Sequence, residues 1–125
     1  MTKRVIAGLA LIAVALTASC VLLHEVKKTG RSLIGCLEEA EQRYGENGDY
    51  KTPLEKAQRL WNDRRDMLGV ILKHSDADEI EKYFYKITRY LSAGETKELF
   101  ETVEDCRAAI EVMLRGEDPA ARNVF

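Results

Sequence analysis

From Val5 to Leu23 the chain runs for 19 residues without a charged side chain, VIAGLALIAVALTASCVLL. As a helix rising 1.5 Å per residue, this stretch is roughly 28 Å long, against a bilayer hydrocarbon core of about 30 Å. Ten of its residues are Leu, Ile or Val, and on an insertion scale they favour the membrane by roughly 3–6 kcal/mol. The segment therefore predicts a single N-terminal transmembrane anchor over residues 1–24. Two other fates compete with this reading. A cleaved signal has a shorter apolar run, typically about 7–15 residues. A lipoprotein processed at Cys20 would use the small residues of Leu16-Thr17-Ala18-Ser19-Cys20, but Val21, Leu22 and Leu23 continue the apolar run where such a protein turns polar.

Basic residues flank the segment on both sides, Lys3 and Arg4 before it and Lys27, Lys28 and Arg31 after it. The short basic start followed by an apolar run reads as a signal-anchor, with the body on the extracytoplasmic side. The expected location is the membrane, crossed once.

Nearly all the charge lies beyond the anchor. The chain is 46% hydrophobic and 32% charged, a balance that suits a folded helical body and not a disordered one. Setting aside Lys3 and Arg4 leaves 17 basic against 21 acidic residues, about −4. A mildly acidic body argues against nucleic acid as a partner, because phosphate binding requires a basic face.

The body, residues 25–118, reads as about four helices. The first continues from the anchor to about Tyr44, with Val26, Leu33, Leu37, Ala40 and Tyr44 on one face and Gly30 and Gly35 weakening it. The stretch Gly45-Glu46-Asn47-Gly48-Asp49 breaks it. Thr52-Pro53-Leu54-Glu55 predicts the second start, with Thr52 as the cap, Pro53 at the first helical position and Glu55 returning a bond. Leu54, Ala57, Trp61, Leu68 and Leu72 form its stripe. The third helix starts near Asp76, with Glu79 completing a capping box and Ile80, Phe84, Ile87 and Leu91 facing inward; Gly94 ends it. The fourth starts near Thr96 and buries Leu99, Val103, Cys106, Ile110 and Met113 before Gly116 and Pro119 stop it. Cys36 and Cys106 fall on apolar faces and read as buried thiols; a disulfide between them requires an oxidising compartment.

Short connections make neighbouring helices antiparallel. The expected fold is all-α, a transmembrane helix followed by an antiparallel bundle of two helical hairpins, with a tail over residues 119–125. A faint repeat at an offset of 46 places Ile34 on Ile80, Tyr44 on Tyr90 and Leu68 on Leu114. It raises a tetratricopeptide-like stack as the alternative architecture.

Trp61 in mid-helix, the run His74, Asp78, Ile80 and Glu81, the helix after Gly94-Glu95, the acidic Glu117-Asp118-Pro119 and the closing Asn123-Val124-Phe125 together resemble the family designated domain of unknown function DUF4363. Val124 stands where that family usually has Ile, and Tyr83-Phe84-Tyr85 is more aromatic than its pattern. The resemblance implies one N-terminal membrane segment and a helical body, and implies no chemistry.

His74, Asp76, Asp78, Glu79 and Glu81 are the one group that invites a catalytic reading, since histidine with carboxylates is an acceptable metal set. A metal-dependent hydrolase using His74 and these carboxylates is the alternative function. Helix-end electrostatics account for the same residues, with acids in a first turn and a histidine at the preceding helix end. No Gly-rich phosphate loop or paired Cys-x-x-Cys is present, and no cofactor is called for. Trp61 reads as a core residue with an interaction role as the alternative, and Tyr85, off the main stripe, as an exposed aromatic. Phe125 is expected to fold back between helices, with Asn123 bonding a helix-end carbonyl. The function expected is a non-enzymatic membrane module that binds the bilayer through Val5–Leu23 and contacts another protein there.

Overall fold

A computed structural model describes residues 2–72 and 74–116. It has four helices, α1 (Thr2–Gly45), α2 (Lys51–Ile71), α3 (His74–Ala93) and α4 (Thr96–Gly116), and no strand among the described residues. Helix α1 runs without a break through the apolar segment and into the body, about 66 Å in all. Its residues from Thr2 to Leu22 are all exposed. Core burial begins at Val26, and Leu33, Leu37 and Ala40 follow on the same face.

The expected stripes form one core. Leu54, Ala57, Trp61, Leu68 and Leu72 from α2 meet Ile80, Phe84 and Ile87 from α3 and Leu99, Val103, Cys106, Ile110 and Met113 from α4. Helix α1 packs on α2 and α4, and α3 packs on α2 and α4, while among the described residues the backbones of neither diagonal pair come close. That ring closes an up-down-up-down bundle. A stack of two hairpins would leave the first and fourth helices apart, so the closed ring decides against the tetratricopeptide-like alternative.

The hairpin ends of α1 and α3 are built alike. Asn47 (φ 57°) and Gly94 (φ 70°) take the left-handed conformation. Gly48 N–H donates to Arg43 O (2.6 Å) and Asn47 N–H to Tyr44 O (3.2 Å). Glu95 N–H donates to Tyr90 O (3.1 Å) and Gly94 N–H to Leu91 O (3.4 Å). Both are six-to-one and five-to-two closures of a helix end. The hairpins thus correspond with Asn47 on Gly94 and Leu33 on Ile80, one residue beyond the expected offset. Ile34, placed on Ile80 by that offset, is half-buried where Leu33 is buried.

Three local expectations are corrected. The cap of α2 is Asp49, not Thr52. Its Oδ1 accepts from Lys51 N–H (3.1 Å) and Thr52 N–H (3.4 Å), and the Thr52 hydroxyl donates to Oδ2. An aspartate before the first turn outcompetes threonine because its carboxylate has two acceptor oxygens and a charge that suits the helix dipole. Pro53 precedes the first intrahelical bond, Leu54 N–H to Tyr50 O, so its missing N–H costs nothing there. Helix α3 begins at His74 rather than near Asp76, which puts Asp76 inside the first turn. Gly30, read as a weak point of α1, is a packing site: a Cβ there would lie 2.6 Å from Leu114 Cδ2.

Candidate functional site

Trp61 and Phe84 stack across the α2–α3 seam with ring centroids 5.6 Å apart and planes 15° from parallel. Trp61 is 2% exposed, so its indole N–H needs a partner. Glu81, one turn before Phe84, supplies it: Nε1–H donates to Oε2. The other oxygen, Oε1, accepts from Arg65 Nη1 (3.3 Å). Further along the seam Gln58 donates to the Thr88 hydroxyl, which itself donates to Phe84 O (3.0 Å). Gln58, Trp61, Glu81, Phe84 and Thr88, with Asn62 and Tyr85, line a cleft of about 310 Å³. Glu81 is committed on both oxygens to holding α2 against α3, so Trp61 and Glu81 act as a clip between helices. The core reading of Trp61 stands on its burial.

The acidic run of α3 comes apart on folding. Residues two apart on a helix point about 200° away from each other, and Glu79 and Glu81 do so. Glu81 lines the α2–α3 cleft, whereas Asp76 and Glu79 line a cleft of about 350 Å³ between α3 and α4 with Tyr83, Asp105, Ala108, Ala109 and Val112. Tyr83 O–H donates to Glu79 (3.3 Å); burial first, then the Glu79 carboxylate, hold its phenol above the ordinary tyrosine range. Asp78 is exposed. Among the described residues no three His, Cys, Asp or Glu side chains gather as metal ligands. The ligand set required by the hydrolase alternative is therefore divided between two faces of α3. His74 contributes the first residue of that helix, and its side chain lies outside the described residues, as do Asn123 and Phe125.

Tyr85 is 64% exposed on the outer face of α3, with the Arg89 guanidinium 5.9 Å above its ring.

A second aromatic group escaped the periodicity argument. Tyr44 stacks on Phe100 at 4.1 Å and 17°, and Tyr50 meets both edge-on at 5.7 and 5.3 Å. It joins the end of α1, the loop after it and the start of α4 at the end of the bundle remote from the apolar segment. Tyr44, expected in the core, remains 43% exposed because it caps this end. Tyr50 lies in a loop and Phe100 beside the α4 stripe, so neither shows in a helical period; an aromatic flanking each hairpin turn is the signal that would find them. Beside the group, Arg107 bridges Glu41 (3.1 Å) and Glu111 (3.3 Å). The bond to Glu41 raises its pKa further.

The remaining feature is the apolar half of α1. Val5, Ile6, Leu9, Leu11, Ile12, Val14 and Leu16 are all exposed. The helix is long and apolar enough to cross a membrane. Cys20 is exposed on it, while Cys36 and Cys106 are free thiols in the core.

The family model described as domain of unknown function (DUF4363) matches residues 20–124. That match takes in the bundle half of α1 and all of α2, a wider stretch than the residues from Trp61 onward that first pointed to the family. No curated protein and no solved structure matches the chain.

Proposed function

The chain belongs to the DUF4363 family, a domain of unknown function, and from that premise we propose that it is a membrane-anchored helical module which presents its bundle to a protein partner beside the bilayer. The observation that carries this reading is the continuity of α1. One unbroken helix holds an unburied apolar half and a core-forming half. An exposed apolar surface of that length in water is unfavourable by roughly 25 cal/mol per Å², and a bilayer removes it. With no loop between the halves, the bundle stands at a fixed height and rotation relative to the lipid. Such a mount suits a contact protein and has no need of a catalytic set. Tyr85 with Arg89 is the side-chain pair best placed for that contact. The body lies on the extracytoplasmic side in this reading.

The test uses the full chain in native membranes. The protein is expected to resist alkaline carbonate extraction with an intact mass that includes residues 1–19. Release by carbonate, or a mature chain beginning at Cys20, would overturn the anchor. Protease reaching the body in intact, outer-layer-permeabilised cells supports the side proposed, and protection until lysis reverses it. Photo-crosslinking from position 85 is expected to capture a discrete protein; capture of lipid alone would defeat the contact role.

A further inference from the structure

Resting on the anchored reading, we propose that the membrane-proximal end of the bundle is a docking surface for anionic phospholipid headgroups. Its elements are Lys27, Lys28 and Arg31 on α1, Arg115 at the end of α4 and the exposed Val70 at the end of α2.

Height comes first. Lys27 to Arg31 follow Leu23 by four to eight residues on a continuous helix, about 6–12 Å beyond the hydrocarbon edge. The headgroup layer of each leaflet occupies about 5–8 Å there, and lysine and arginine side chains bridge the remainder. Direction comes next. Lys27, Arg31 and Lys28 fall within about 100° of one another around the helix, on the face turned away from the core, and Lys28 and Arg31 are exposed. The close approach of Gly30 to Leu114 brings Arg115, also exposed, to the same level.

Arg43, Arg64, Arg65 and Arg107 each pair with a glutamate. Among the described residues no carboxylate pairs with Lys27, Lys28, Arg31 or Arg115. The one acid in this turn of α1, Glu25, is engaged by Arg64 (3.6 Å). The body is acidic as a whole, and these four bases, unpaired among the described residues, lie at its membrane end.

The apolar element completes the surface. Leu22, at 41% exposure, is more covered than the apolar residues before it, and Leu23 is half-buried. The bundle therefore starts to cover α1 before the apolar run ends, and no gap separates body from bilayer. Helix α2 runs antiparallel to α1, so its last turn comes down at this end, and Val70 there is 85% exposed. A valine so exposed at the membrane end of the bundle fits the interface between acyl chains and phosphates.

The experiment reconstitutes the full chain into vesicles of phosphatidylcholine alone and of phosphatidylcholine with phosphatidylglycerol. Spin-labelled lipids of both kinds then report which headgroup is immobilised at the protein. At low salt the protein is expected to prefer phosphatidylglycerol by at least about threefold. That preference should decay towards parity as salt rises, and in the Lys27→Gln, Lys28→Gln, Arg31→Gln triple variant of unchanged helicity. Parity in the unmodified chain at low salt, or a preference untouched by salt, overturns the inference without reference to any variant. A preference retained in the folded triple variant overturns the assignment to these residues. A chain that enters neither kind of vesicle defeats the anchored reading itself, a failure distinct from entry into both without preference.

Discussion

Trp61 on α2 donates its indole N–H to the carboxylate of Glu81 on α3, and the same glutamate accepts from Arg65. A buried donor and a half-buried acceptor thereby tie together two helices that are neighbours in sequence. Truncating Trp61 to Ala should cost about 3–5 kcal/mol, as a large aromatic lost from a packed core. Glu81→Leu should cost about 1–3 kcal/mol because it orphans the indole N–H. Glu81→Gln keeps an acceptor and loses only an exposed ion pair, so it should cost less than about 1 kcal/mol. Urea denaturation followed by circular dichroism reads all three. Equal losses for the Leu and Gln variants would show that the indole bond contributes nothing.

Two glycines of α1 should respond in opposite ways to alanine. Gly35 faces open space, so Gly35→Ala should stabilise by about 0.5–1 kcal/mol through backbone entropy. At Gly30 the new methyl meets Cδ2, Cγ and Cδ1 of Leu114, at 2.6, 3.1 and 3.2 Å. Displacing that side chain costs about 1–3 kcal/mol, which cancels or exceeds the propensity gain. Gly30→Ala should melt no higher than the parent, and a matched increase at both sites would remove the close α1–α4 contact from the account.

The Asp49 cap makes stability depend on pH. The Thr52 hydroxyl, then the Thr52 and Lys51 N–H groups, hold the Asp49 carboxyl below its ordinary range. A depressed folded pKa means that the contribution is fully present above the unfolded value. It is lost as pH falls through the folded one. Asp49→Ala should lower the melting temperature at neutral pH, and the gap between variant and parent should close as the solution is acidified below the usual carboxylate range. A gap that stays constant across that range would assign the effect to something other than the charge.

Burial pushes the Cys106 thiol up to about 12, and it raises Cys36 as well. The thiolate is the reactive species, so iodoacetamide at mildly alkaline pH should leave Cys106 unmodified in the folded chain and alkylate it in denaturant. Peptide mass mapping distinguishes the two. Stoichiometric modification of Cys106 without denaturant would contradict its place in the core.

Periodicity alone located the four helices and nearly every core residue, from Val26 to Met113, because burial of an amphipathic face repeats every three or four positions. It also marked Trp61 as buried and Tyr85 as exposed. What it missed depends on partners distant along the chain. Gly30 reads as a defect until Leu114, on the last helix, is seen to need the space of its missing side chain. Glu81 reads as one of a run of acids until the helix turns it towards Trp61 and turns Glu79 the other way. Tyr44, Tyr50 and Phe100 belong to three different segments and become a cluster only when the bundle closes. The cap moved from Thr52 to Asp49 because two acceptors within one turn compete for the same N–H groups, and the carboxylate is the stronger of them. Local pattern sets which face of each helix is apolar; the closing of the ring sets which polar and aromatic side chains meet, since those contacts join residues that no single period connects.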